Sequence, residues 1–148
     1  MNKILIINGP NLNMLGTREI EIYGKKTLSQ IKEDCEEFSR NINYEINFFQ
    51  TNSESEIIGC LQSMKNKYVG LIINAAALTH TSIAIHDSLK IVSCKKIEIH
   101  ISNLYNRENF RNKSFISPVV DGVISGLGHK VYVTAIFAIK QMLENANE

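Results

Sequence analysis

The chain has 148 residues, 44% of them hydrophobic and 21% charged, which suits one domain with a sizeable core. A formal net charge of +1 excludes a global field that would gather nucleic acid or an anionic membrane, yet leaves room for a local arginine cluster around a small carboxylate. The three cysteines, Cys35, Cys60 and Cys94, are odd in number and widely spaced with no C-x-x-C pair, so the expectation is reduced thiols in a cytoplasmic protein.

No apolar run approaches the ~18 residues of a membrane span, and no targeting segment is expected before the first strand. That strand is Lys3 to Ile7, apolar after Lys3 and rich in β-branched residues, as a strand buried on both faces would be. The polar stretch behind it, from Asn8 to Lys26, is far longer than the ~2 to 6 residues usual between a strand and a helix and shows no obvious helix of its own. It carries Asn, Arg, Glu and Tyr on a Gly-Pro frame and is expected to be a functional lid. Thr27 with Gln30 forms a capping-box pattern opening a helix to about 40, with Leu28, Ile31, Cys35 and Phe38 at helical spacing. Tyr44 to Gln50 is the second strand, and Ser53 with Glu56 caps a second helix bearing Ile57, Ile58, Leu61 and Met64.

Val69 to Ile73 is a third buried strand, ending in Asn74, and Thr81 or Ser82 opens a helix to about Val92. Lys96 to Ile101 is the fourth strand, the polar segment from Ser102 to Ser117 is a second functional loop, Gly122 to Gly128 holds a short fifth strand, and Val131 to Leu143 is a closing helix. Strand and helix alternate at the length of a βαβ repeat, with no linker or internal repeat. The expected architecture is an α/β, flavodoxin-like doubly wound five-stranded parallel sheet in the order 2-1-3-4-5, one catalytic domain over residues 1–148, with chemistry outside the carboxyl ends of strands 1 and 3.

Those ends deliver Asn8 and Asn11 from strand 1, Asn74 and then His80 from strand 3, and His100, Ser102 and Asn103 from strand 4. Period-two alternation places Glu98 and His100 on one face of strand 4, opposite Ile97, Ile99 and Ile101. A carboxylate beside an imidazole fixes its tautomer and suits it to general acid work. A lone strand histidine is more often a core residue satisfied by a backbone carbonyl, but the position at a strand's carboxyl end, followed by Ser102 and two arginines, favours function. In the long loop, a guanidinium from Arg18 about 4 Å from the Tyr23 phenolate would contribute up to ~4 kcal/mol toward making it a base. The pair by itself fits an aromatic anchoring the loop on the surface equally well. Gly24-Lys25-Lys26-Thr27 lacks the earlier glycine of a phosphate-binding loop, since Glu19 stands there. His80 and His86 have no carboxylate or cysteine at ligand spacing, so no metal is expected. A phosphoacceptor receiver is disfavoured by Asn8 and Asn74 where that chemistry wants acidic residues.

Several linked stretches, Ile7-Asn8-Gly9-Pro10-Asn11-Leu12-Asn13-Met14-Leu15-Gly16 with Arg18-Glu19 and Tyr23-Gly24, Asn74 with Thr79-His80-Thr81-Ser82 and Asp87, and Glu98-Ile99-His100-Ile101-Ser102-Asn103 with Arg107, Phe110 and Arg111, resemble type II 3-dehydroquinate dehydratase. The likeness runs to Ser117-Pro118 and Gly126-Leu127-Gly128. It implies anti elimination of water from 3-dehydroquinate through an enolate, in aromatic biosynthesis by the shikimate pathway, by a cytoplasmic homododecamer built from trimers that needs no cofactor. It further implies that Tyr23 removes the proton next to the ketone, assisted by Arg18, that His100 protonates the departing hydroxyl, that Glu98 orients His100, and that Asn11 helps hold a water against the enolate. Asn74, His80, Arg111 and the backbone amides of Ile101 and Ser102 would bind substrate, and Asp87 would reach a neighbouring subunit's site. Two departures stand out: Ile20 where members commonly have Pro, and Ala75-Ala76 where they commonly have Pro-Gly or Ala-Gly. A flavin- or nucleotide-binding module of the same fold is the alternative, and a catalytically dead scaffold is disfavoured because Arg18, Tyr23 and His100 are all present.

Overall fold

The structure, a computed structural model, describes residues 1–145. Five parallel strands, β1 (Asn2–Asn8), β2 (Tyr44–Gln50), β3 (Gly70–Asn74), β4 (Lys95–His100) and β5 (Gly122–Ser125), form one sheet in the order β2-β1-β3-β4-β5. The expected order and strand positions hold. The sheet's alternation sorts β1 cleanly: Ile4 and Ile6 enter one core, Leu5 and Ile7 the other, and all four are at most 3% exposed. At ~1.5–3 kcal/mol for each fully buried aliphatic side chain, a strand with both faces covered is strongly committed to the centre of the sheet.

Helices α2 (Leu28–Asn41) and α5 (Val131–Asn145) cover the Ile4 face, with Ile31, Cys35, Val131 and Ile136 packed there. Helices α3 (Glu54–Gln62) and α4 (Ile83–Leu89) cover the Leu5 face with Ile57, Leu61, Ile85 and Leu89. The N-terminal signals work as expected. The Thr27 hydroxyl accepts from the Gln30 N–H at 3.2 Å while the Gln30 side chain accepts from the Thr27 N–H at 3.0 Å. At α3 only half of the pattern forms: Ser53 caps the Glu56 N–H, but the Glu56 carboxylate accepts from the Thr51 hydroxyl at 3.1 Å instead of turning back.

Because β1 leads into the α2 layer and β3 into the α4 layer, the chain parts to opposite faces between their carboxyl ends and leaves a crevice there. Gly9 sits at its base. Its N–H donates to the Asn74 carbonyl at 2.8 Å, and a Cβ added to it would lie 2.6 Å from the Ala75 oxygen, so only glycine lets the two strand ends approach. The long loop departs from expectation, since it contains a one-turn helix, α1 (Ile20–Tyr23), entered from Glu19 at φ 36°. Four residues are too few to display a helical period in the sequence.

The departure at Ala76 has a structural cost, because its φ of +53° is left-handed, a conformation worth roughly 1–2 kcal/mol against an L residue. The Asn74 side-chain oxygen accepts from the Ala76 N–H at 3.2 Å and supports the turn. Ala76→Gly is expected to stabilise the protein by about 0.5–1 kcal/mol after allowing for glycine's greater entropy in the unfolded chain. Thermal melts of the two forms test this, and an unchanged or lower midpoint would show that the asparagine turn already compensates the strain.

Candidate active site

Above the crevice lies a cavity of about 110 Å³ whose wall includes Asn11, Arg18, Tyr23, Asn74, His80, His100, Ile101, Ser102, Arg107 and Arg111. Nine of the eleven residues expected in the site, Asn11, Arg18, Tyr23, Asn74, His80, His100, Ile101, Ser102 and Arg111, thus line it. Glu98 stands behind His100 and off the wall of this cavity, while Asp87 is exposed on α4 and takes no part in it. No Asp or Glu is among the residues lining the cavity, whereas three guanidinium groups are. Such a wall suits an anionic ligand.

Tyr23 ends α1 and packs its half-buried ring on the core, so it anchors the loop and lines the cavity at once. The Arg18 guanidinium carbon lies 4.5 Å from the centre of its ring and that of Arg107 lies 5.2 Å away. The Arg18 Nη2 meets the Glu19 carboxylate at 3.3 Å, but its Nε is buried without an acceptor in the protein. Arg107 also donates from Nη1 to the Ser102 hydroxyl at 3.3 Å, which ties the second polar loop to the end of β4.

His100 is 4% exposed and its Nε2 lies 2.5 Å from Glu98 Oε2, itself 1% exposed. With a carboxylate at Nε2, that nitrogen carries the N–H in the neutral ring, and Nδ1 has an unshared lone pair. Glu98 is held further: the Ser114 hydroxyl donates to Oε2 at 2.9 Å and the Ser117 hydroxyl to Oε1 at 2.5 Å. Burial pushes the Glu98 carboxyl up, but the hydrogen bond and charge of His100 and the two serine hydroxyls outweigh it, so it lies below the ordinary value of 4.5. A buried carboxylate with three donors stays ionised.

His80 stacks on His100, ring centres 6.4 Å apart and planes 22° from parallel. Its Nδ1 meets the Lys113 carbonyl at 2.7 Å, which requires an N–H there and leaves Nε2 as an acceptor. Burial lowers its pKa from 6.5, the Lys113 carbonyl opposes this, and the nearby charges of His100 and Arg111 lower it further. His86 makes the matching contact with the Phe115 carbonyl at 2.6 Å, and the Thr79 carbonyl accepts from the Phe115 N–H at 2.9 Å. His80 and His86 are thus clamps on residues 113–115, the segment that delivers Ser114 to Glu98. Among the described residues no group of three or more His, Cys, Asp or Glu stands together as a metal would need.

The carbonyls at the end of β4 are tied off by the glycine-rich segment after β5: Gly126 N–H donates to His100 at 3.1 Å and Gly128 N–H to Ile101 at 3.0 Å. Both glycines have positive φ, +87° and +64°. The residues that sequence reasoning missed are Ser114, Ser117 and Tyr132, together with any role for Arg107. The serines had one local signal, a three-residue spacing in the polar loop after β4; Tyr132 had none, since it reads as a core aromatic of the closing helix.

Comparison with known proteins adds an independent line. Residues 2–140 match the family model for dehydroquinase class II. The chain is 48% identical to a 3-dehydroquinate dehydratase of Endomicrobium trichonymphae, an alignment covering 97% of this chain and 98% of the relative. It is 45% identical to a 3-dehydroquinate dehydratase of Caldicellulosiruptor bescii over 97% of this chain and all of that one. Among solved structures, the type II dehydroquinase from Butyrivibrio crossotus superposes with a TM-score of 0.92 at 45% identity, covering 94% of this chain and 97% of that one. The type II dehydroquinase from Propionibacterium acnes gives a TM-score of 0.88 at 38% identity, with 96% of each chain covered.

Proposed function

The chain belongs to the class II dehydroquinase family and is a hydro-lyase of the 3-dehydroquinate dehydratase type, and from that premise we propose that it removes water from 3-dehydroquinate by anti elimination through an enolate. The observation that carries the proposal is a cavity wall on which Tyr23 under two guanidinium groups and His100 backed by Glu98 both stand, with no Asp or Glu among the lining residues. A base and an acid held on separate elements are what an anti elimination needs, because the proton and the hydroxyl leave from opposite faces of the substrate.

In the proposed sequence the Tyr23 oxygen takes the proton on the carbon next to the ketone, and the electron pair moves onto the ketone oxygen as the enolate. Arg18, a lining residue whose Nε has no acceptor in the protein, stabilises that charge, and Asn11 holds a water against it. The enolate then expels the hydroxyl group, which takes a proton from Nδ1 of His100 and departs as water. Glu98, hydrogen-bonded at Nε2, holds the ring in place for this transfer. Arg111, Asn74, the neutral Nε2 of His80 and the backbone amides of Ile101 and Ser102 bind the substrate's carboxylate and hydroxyls. Under this reading the enzyme serves the shikimate pathway in the cytoplasm as a homododecamer, in which the exposed Asp87 meets a neighbouring subunit's site. No helix among the described residues is long and apolar enough to cross a membrane.

The test is to mix purified protein with 3-dehydroquinate and follow the absorbance of the conjugated enone of the product; a flat trace would overturn the assignment. Arg18→Ala sharpens the mechanism. If the guanidinium acts on charge that exists only in the transition state, kcat falls about 10²-fold while KM changes by less than about threefold, and Arg18→Lys recovers only part of the loss. A raised KM with kcat unmoved would make Arg18 a binding residue instead.

A further inference from the structure

Tyr132, at the start of α5, is fully buried, yet its hydroxyl contacts the ends of two strands. It donates to Asn8 Oδ1 at 2.6 Å and accepts from Asn74 Nδ2 at 3.2 Å. The chain of contacts continues at both ends: Asn8 Nδ2 donates to the Phe49 carbonyl of β2 at 3.1 Å, and Asn74 Oδ1 accepts from the Ala76 N–H at 3.2 Å. Each amide, taken alone, could be turned over without changing its shape. The two ends remove that freedom, because a backbone carbonyl only accepts and a backbone N–H only donates.

Since the Phe49 carbonyl requires an N–H, Asn8 must turn its oxygen toward Tyr132. The single phenol proton is then committed to Asn8, so Asn74 must present its N–H to the phenol oxygen and its own oxygen to Ala76. Every link is satisfied in this one direction, whereas the reverse leaves both end links, to the Phe49 carbonyl and the Ala76 N–H, unmade. Burial raises the Tyr132 pKa well above its usual value, so the proton that sets the direction is not lost at any ordinary pH. Asn74 is 3% exposed and stands on the cavity wall with one N–H and one oxygen lone pair uncommitted.

We propose that Tyr132 and Asn8 are positioning residues, which hold the Asn74 amide in one orientation so that its free N–H and free lone pair meet the substrate in a fixed pattern. The inference rests on the assignment of Asn74 as a substrate contact. It gives the buried tyrosine a role in substrate recognition, exerted wholly through Asn74.

The experiment is a double-mutant cycle read in kcat, KM and melting midpoint with 3-dehydroquinate as substrate. Tyr132→Phe removes one oxygen and keeps the ring in place beside Phe48. It is expected to raise KM about fivefold with kcat within about twofold, the size of one misdirected neutral hydrogen bond. In an Asn74→Ala background the same substitution should change kcat/KM by less than about twofold, because the residue it acts through is gone. Equal losses in both backgrounds, or a lowered midpoint with unchanged kcat/KM, would show Tyr132 to be a packing residue and overturn the proposal. Should Asn74→Ala alone leave kcat/KM unchanged, the assignment of Asn74 fails and the relay falls with it. If Tyr132→Phe does not fold, Asn8→Ala enters the same cycle: it removes the acceptor of the phenol proton without touching α5, and the expected and overturning outcomes are the same.

Discussion

Tyr23→Phe is expected to lower kcat by about 10³-fold or more, near the upper end of what one general base contributes, while KM and the melting midpoint stay close to those of the parent enzyme. The reason lies in how little the substitution removes. The ring packs on the core and lies near Arg18 and Arg107, and those contacts involve the ring rather than the hydroxyl. Phenylalanine keeps them, so α1 and the loop should stay folded. What disappears is the one oxygen proposed to take the substrate proton. Steady-state kinetics with a thermal melt on the same preparation separate the alternatives. Retention of more than about a tenth of kcat would mean that another group takes the proton, and a large fall in midpoint would mean that the hydroxyl supports the loop.

Glu98→Gln is expected to cost about 10²-fold in kcat and to change how stability responds to acid. The amide can leave its oxygen toward His100 and Ser114 and turn its NH₂ toward Ser117, whose hydroxyl can rotate to accept, so the hydrogen bonds survive while the charge is lost. An imidazolium at His100 then has no counter-charge in a buried site, and proton delivery to the leaving hydroxyl suffers. The sign of the stability effect follows from the lowered folded-state pKa of Glu98. A carboxylate whose pKa is lower folded than unfolded adds stability above its unfolded value, near 4.5, and loses it as the pH falls through the folded value. The parent's advantage over Glu98→Gln should therefore be present above pH 4.5 and shrink as the pH falls below it. Chemical denaturation across this range measures it. A gap independent of pH would show that the carboxylate's charge does not stabilise the fold, and a kcat within about threefold of the parent would remove Glu98 from the mechanism.

The same two residues mark how far the sequence reached. That Glu98 and His100 share a face follows from strand periodicity alone, because they are two positions apart and nothing distant can change which side of a strand they occupy. The sheet order followed from five apolar runs alternating with capped helices, and the Thr27 and Ser53 caps from a hydroxyl three residues ahead of a backbone N–H that needs it. These are local or nearly local facts. The grouping of His80 with His100 followed from the strand ends, but that of Arg18, Tyr23 and Arg111 with them was legible only through linked motifs that resemble a family, since no periodicity joins them.

Tertiary structure alone decided the rest. The serines that hold Glu98 lie 16 and 19 residues from it, and Tyr132 reaches Asn74 and Asn8 across 58 and 124 residues. No pattern within one segment encodes such a distance; it exists only once α5 has packed on the sheet and residues 113–117 have been clamped by His80 and His86. The one-turn helix at Ile20–Tyr23 and the left-handed Ala76 belong to the same class. Each is a backbone conformation that intrinsic propensity disfavours or leaves undecided, and in which long-range contacts hold the chain. Periodicity and capping, being properties of a single segment, set the strands and helices, whereas the orientation of the site's polar groups depended on which segments the core brought together.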